Sequence, residues 1–169
     1  LSRRPRDSQM SKVYAAERKH SLWREESQYD SISHVQVWVD SICKSRWFKN
    51  RYPRYALAKS IQTAFLTDRE RGIKVLDGRG RRKACGSTRG FIKLPVWSRS
   101  DLVILHEIAH VVTRRKGYHG PLPAYHGREF CANYLALVRQ FLGKEAAKEL
   151  KVCFKKSRVK YTRPAKIGR

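Results

Sequence analysis

The sequence predicts an α+β fold in which a small antiparallel or mixed β-sheet packs on one central helix, with further helices around it. Three observations carry this expectation. The run "DLVILHEIAHVV" at 101–112 is mostly apolar, as befits a buried helix. Ahead of it, "IKVLDGRGRRKACGSTRGFIKLP" alternates short apolar runs with glycine-rich turn signals, the pattern of short strands. Behind it, two segments with apolar residues at helical spacing are separated by Gly143.

The elements follow in order. Met10 to Ser27 is polar and charged with weak helical character; residues 1–30 are expected to form an N-terminal arm, with Met10 as a possible natural start. Between Ser31 and Phe48, Ile32, Val35, Val39 and Ile42 fall on one helical face. Val35, Val37 and Val39 also alternate as a strand would, but the length of the segment favours a helix. "RYPRY" ends it, and residues 55–71 are ambiguous. Strands are expected at Ile73–Leu76, Lys83–Gly86 and Gly90–Leu94, with a turn at Asp77-Gly78 and a stop at Pro95. Ser98 and Asp101 have capping-box spacing, so the central helix should run from about Arg99 to Val112. A loop rich in Gly, Pro and Tyr covers Arg115 to Tyr125. The next helix spans about Gly127 to Leu142, with Phe130, Tyr134, Leu137, Val138 and Phe141 inward. "KEAAKELKVCFKK" forms another. Residues 31–156 thus make the main domain. Residues 157–169 carry Arg158, Lys160, Arg163, Lys166 and Arg169 without an acid, and read as a mobile basic tail.

Composition narrows the function classes. A chain of 169 residues with 41% hydrophobic residues suits one domain with a real core, which excludes global disorder. Lys and Arg number 38 against 14 Asp and Glu, a net charge of +24, so polyanions are the expected partners and nucleic acid or ribonucleoprotein the first among them. None of the four cysteines forms a CxxC pair, which argues against a zinc ribbon. Cys43, Cys131 and Cys153 fall among apolar residues and read as buried thiols in a reducing compartment. No apolar stretch follows the basic start, and none approaches the ~20 residues that span a bilayer. The expectation is a cytoplasmic protein with no membrane partner.

The chemistry concentrates in "HEIAHVVTRRKGYHGPLPAYHG" at 106–127, which holds four of six histidines. On a helix, His106 and His110 stand one turn apart on one face, where two imidazoles can bind one Zn²⁺. Glu107 lies beside them as the general base of an HExxH arrangement. A third ligand could come from His126, from Glu129 or from the loop residue His119. A metzincin pattern fails, because Thr113 and Lys116 occupy the positions of its glycine and third histidine.

"HEIAH" followed by "HGREF" resembles the HExxH…HGxxF signature of SprT-like and minigluzincin-type metalloproteases. "GFIKLPVW" ahead of the helix and "FLGKEAAKELKVCF" after the next one are similar to a family of metallohydrolases from actinobacteria and their phages; the likeness covers residues 10 to 156. It departs from the pattern in a longer loop between the second and third histidines and in Arg128, where proline often follows the HG pair. The resemblance implies a zincin-like fold and one Zn²⁺ held by His106, His110 and His126, with Glu129 as the alternative third ligand. It also implies Glu107 as base and an edge strand that holds a peptide by β-augmentation, expected at Gly90, Phe91, Ile92, Lys93 and Leu94. Tyr118, His119 and Tyr125 are candidates to stabilise the oxyanion. Arg79, Arg81, Arg82, Lys83 and Arg89 on the hairpin, with Arg158, Lys160 and Arg163 in the tail, are candidates for nucleic-acid contact. The leading expectation is a zinc-dependent peptidase acting on or near nucleic acid. The alternatives are a non-catalytic basic zinc module that binds DNA, RNA or ribonucleoprotein, and a regulatory protease like the ImmA/IrrE group, which would need Glu129 as ligand.

Overall fold

Helix α3 (Ile32–Lys44) settles the strand-or-helix ambiguity. Val35, Val39, Ile42 and Cys43 are buried while Val37 is 70% exposed, so the three valines do not share a face as they would on a strand. The Ser31 hydroxyl caps the helix by accepting from the His34 N–H at 3.2 Å. Ser45 ends α3 and caps α4 (Arg46–Arg51) in the same way, and Pro53 opens a 3₁₀ turn as the "RYPRY" break predicts. These features belong to a computed structural model that describes residues 4–25, 29–56, 72–114 and 120–162. The ambiguous stretch 57–71 and the loop residues Tyr118 and His119 lie outside the described residues, as do Arg163 and the rest of the tail.

The architecture is α+β with a small mixed sheet. Strands β1 (Lys74–Asp77), β2 (Cys85–Ser87) and β3 (Phe91–Leu94) lie in the order β1-β3-β2. β1 runs parallel to β3, Lys74 opposite Phe91, and β2 antiparallel, Gly86 opposite Ile92. This order corrects one expectation: Phe91–Leu94 is the central strand, paired on both sides, and cannot receive a peptide by strand addition. Gly90 precedes it in a turn with φ 90°, and its carbonyl is already taken by the Lys74 N–H at 2.9 Å. The outer side of β1 is covered by Gln36 of α3, which donates to the Ile73 carbonyl at 3.0 Å and accepts from the Val75 N–H at 2.7 Å. Among the described residues, the edge left for strand addition is therefore that of β2.

After Pro95 the chain makes a 3₁₀ turn, Val96–Ser98, and enters α5 (Asp101–Val112). The expected capping box does not form. The turn pulls the Ser98 hydroxyl back to the Pro95 carbonyl at 2.8 Å, and the Asp101 carboxylate accepts from the Tyr29 hydroxyl at 2.7 Å. Leu102, Ile104, Leu105, Ile108 and Val111 are fully buried, so α5 is the central helix of the core. α6 (Arg128–Phe141) packs on it through Phe130, Tyr134, Leu137 and Val138. Gly143 turns the chain at φ 98° into α7 (Lys144–Lys156), whose Leu150 and Phe154 close the core. All four cysteines are free thiols; Cys43, Cys131 and Cys153 are buried. No helix among the described residues is long and apolar enough to cross a membrane.

β2 crosses α5 at close range. A methyl group on Gly86 would overlap the Glu107 carbonyl oxygen and stand 3.0 Å from the His110 Cβ. Gly86→Ala should therefore force strand and helix apart, costing about 1–3 kcal/mol as overpacking does. Thermal denaturation would register this as a lowered midpoint; an unchanged midpoint would mean that the strand is not held against the helix.

The terminal segments pack on this core. α1 (Met10–Glu17) lies on α7, and α2 (Leu22–Glu25) follows a turn anchored by buried His20, which donates to the Ala146 carbonyl at 2.9 Å. Gln9 bridges both ends of the chain: its amide donates to the carbonyls of His126 and Lys160, each at 3.0 Å, and accepts from the Lys160 N–H at 2.6 Å. Val159 is buried against the core. The tail expected to be mobile is thus seated as far as Lys160, because an apolar side chain and a buried amide both hold it.

Candidate metal centre

Three histidines from two elements converge on one point. α5 presents His106 and His110 from adjacent turns, and the turn before α6 presents His126. The His106 Nε2 lies 3.1 Å from the His110 Nε2 and 3.3 Å from that of His126. The three ligand atoms lie within 4.8 Å of one another, close enough to hold one metal ion. Glu129, the alternative ligand, is exposed on the first turn of α6 and does not join them. The helix starts at Arg128, so Glu129 already turns outward, whereas His126 in the preceding turn faces α5.

The far nitrogens of two of these rings are held by carboxylates. His106 Nδ1 donates to Glu17 Oε1 at 2.6 Å, and His126 Nδ1 donates to Asp7 Oδ2 at 2.6 Å. Each ring then turns the lone pair of its Nε2 toward the common point. Two such lone pairs 3.3 Å apart repel unless a proton or a metal ion lies between them. The donor set therefore fits a cation: neutral imidazoles with their Nδ1–H groups fixed by carboxylates are the usual outer support of a metal-binding histidine. Burial disfavours a charge on every ring, but at His106 the charge and hydrogen bond of Glu17 outweigh it and raise the pKa. Burial and the neighbouring His106 charge lower the pKa of His126, and hold that of His110 well below its ordinary value.

Glu107 is buried beside this cluster, and its Oε2 has no hydrogen-bond partner. Burial raises its pKa to about 7; the Glu17 charge adds to this, while the His106 charge and the Gly86 N–H oppose it. An orphaned carboxylate oxygen next to three converging imidazoles suits a group that exchanges protons near neutrality. Tyr14 lines the same hollow as His106 and Glu107. Its ring stacks on His106 at 5.7 Å and meets His126 edge-on at 5.2 Å. Burial, then the charge of Glu107, push its hydroxyl up to about 12, so it remains a donor at neutral pH.

Two hollows flank the cluster. One, about 220 Å³, borders His106 and Glu107 and reaches Ala84; the other borders His110 and reaches Gly86, Ser87 and Thr88. β2 lies between them: Ala84, just before it, lines the first, and Gly86 and Ser87 line the second. Tyr125 is 54% exposed, its ring 6.3 Å from that of His110 and covered by the Arg4 guanidinium at 4.0 Å. Of the basic candidates, Arg82 and Lys83 line the first hollow. Arg79 faces Asp77 at 3.8 Å, while Arg81, Arg89, Arg158 and Lys160 are exposed. Lys160 and Arg128 border a third hollow behind His126.

The sequence reading missed Asp7, Glu17, Tyr14 and Gly86. A signal did exist for Glu17: it extends the apolar face of Val13 and Ala16 by an acid, and an acid on the inner face of a helix needs a buried partner. Glu17→Gln should keep the fold and the acceptor but lose the charge, weakening metal binding about 10–100-fold. Competition with a chromophoric chelator would measure this. A proton taken up by His106 Nε2 competes with a metal, and Glu17 favours that proton, so affinity should fall as pH falls. With the raising influence of Glu17 removed, that loss should begin at lower pH in the variant. An unchanged profile would mean that Glu17 is not coupled to the metal.

Comparison with known protein families, with curated proteins and with solved structures finds no match for this chain.

Proposed function

We propose that this protein is a zinc-dependent metallohydrolase with a zincin-like core, acting as a peptidase on or near nucleic acid. The observation that carries the reading is the buried, unpartnered Glu107 oxygen beside three converging histidines, two of them braced by carboxylates. Three imidazoles whose ligand atoms lie within 4.8 Å of one another suit one metal ion, and zinc is the ion that such an HExxH arrangement takes. A closed structural site has no use for a carboxylate held ready beside it.

His106, His110 and His126 would hold the ion, which supplies Lewis acidity at the cleft when bound. The chain's own groups supply the rest. The peptide lies along the free edge of β2, where backbone pairing fixes its direction. Glu107 takes a proton from the attacking water and returns it to the leaving amine, a role that its buried, unpartnered oxygen beside the histidines suits. Tyr14 donates its hydroxyl hydrogen bond to the oxygen that gains charge, a role first expected of Tyr118, His119 or Tyr125. The net charge of +24, with Arg82 and Lys83 at the cleft, supports action near a polyanion.

Hydrolysis of an unfolded protein, free and bound to DNA, by the zinc-loaded and the chelated chain tests the reading. Cleavage should require zinc and be faster on the DNA-bound substrate. The DNA enhancement should fade steeply with salt as counterion release loses its drive. Nucleic-acid binding without cleavage of any substrate would favour a basic zinc module instead.

A further inference from the structure

From the hollow beside Glu107 we infer a subsite for one large, neutral aromatic side chain of the substrate, with an acidic residue next to it in the peptide; this rests on the peptidase reading above. The hollow has about 220 Å³ of space and shares His106 and Glu107 with the metal centre, so a side chain held there belongs to a residue at or next to the bond that is cut. Its apolar walls are Trp23, Trp97, Val103 and Ala84, and Trp97 is 48% exposed at the surface end. Two indole rings favour an aromatic guest, which gains ring contact beyond its buried area.

Charge along the depth of the hollow narrows the choice. At the inner end stand the buried carboxyl groups of Glu17 and Glu107. At the outer end stand Arg18, Arg82 and Lys83, all exposed. An acidic side chain that entered fully would meet carboxylates in a poorly solvated place. A basic one would have to pass three cations first. A neutral aromatic side chain meets neither penalty, and the cations at the rim are then left to pair with an acid one residue along the chain. Ala84 joins this hollow to β2, so a peptide paired along the strand's free edge can place one side chain inward while its neighbour lies at the rim.

The zinc-loaded Glu107→Gln protein, which binds without cutting, allows affinity to be read separately from hydrolysis. Short peptides containing Asp-Phe, Asp-Ala or Lys-Phe would be titrated while tryptophan fluorescence is followed. The Asp-Phe peptide should bind at least about tenfold more tightly than either of the others. Trp97→Ala should abolish the preference for Phe over Ala, and Arg82→Glu should remove the preference for Asp over Lys, both with zinc content unchanged. Trp97→Phe should restore most of the aromatic preference. Equal affinity for the three peptides would overturn the proposal. So would an oligothymidine that binds more tightly than every peptide and loses affinity in Trp97→Ala, which would make the hollow a base-stacking site. Wild-type protein that cleaves unfolded substrates without aromatic preference would remove the subsite and leave the peptidase reading intact. Selective binding by a wild type that cleaves nothing would do the reverse.

Discussion

Glu107→Gln is expected to lower peptide hydrolysis about 10²–10⁴-fold while the protein keeps its fold and its metal. Glutamine preserves the shape of the buried side chain and one acceptor, but it cannot take a proton. Glu107 neighbours His106 in sequence without belonging to the three-histidine cluster, so its loss should leave metal content near that of the wild type. The metal-free protein offers a second readout. Burial raises the Glu107 pKa from 4.5 to about 7, so between these values the folded chain holds a proton that the unfolded chain has released. The contribution of this group to stability is therefore present at acid pH and is lost as pH rises toward about 7. Glu107→Gln should remove that part of the decline. Hydrolysis unchanged in the variant would end the assignment of Glu107 as base, and loss of metal would make it a structural residue.

His126→Ala is expected to abolish stoichiometric metal binding, whereas Glu129→Ala should leave it intact. Removing one of three ligands leaves two imidazoles from a single helix, too few to hold an ion against chelation. Removing Glu129 changes an exposed side chain outside the cluster. Elemental analysis after dialysis against a mild chelator distinguishes them. The reverse result, metal kept in His126→Ala and lost in Glu129→Ala, would point to the acidic third ligand that an ImmA/IrrE-like protease would use.

The parts of the site that sequence revealed are those governed by local rules. Helical periodicity alone sets His106 and His110 on one face, and the helix start after "HG" turns His126 inward. The apolar faces of α3, α6 and α7 were legible for the same reason. What sequence did not reveal depends on contacts between distant segments. Strand order within the sheet leaves no trace in local alternation, so Phe91–Leu94 looked like an edge although it is the centre. Glu17 and Asp7 reach their histidines across 89 and 119 residues; the inner-face position of Glu17 signals that it has a partner, but nothing near either acid identifies which residue it is. Gly86 reads as an ordinary turn-prone residue until the helix it crosses is in place.

The clamp made by Gln9 has a consequence for how the three-histidine cluster comes together. It joins positions separated by 117 and 151 residues and closes directly over the turn that carries His126. Contacts of such sequence separation carry a high loop-closure entropy and tend to form late. The two histidines of α5 come from one local helix and can be in position early; the third waits on the meeting of segments 151 residues apart. Completion of the histidine cluster is thus tied to completed folding, and a metal titration would read out whether Gln9 and Lys160 have met.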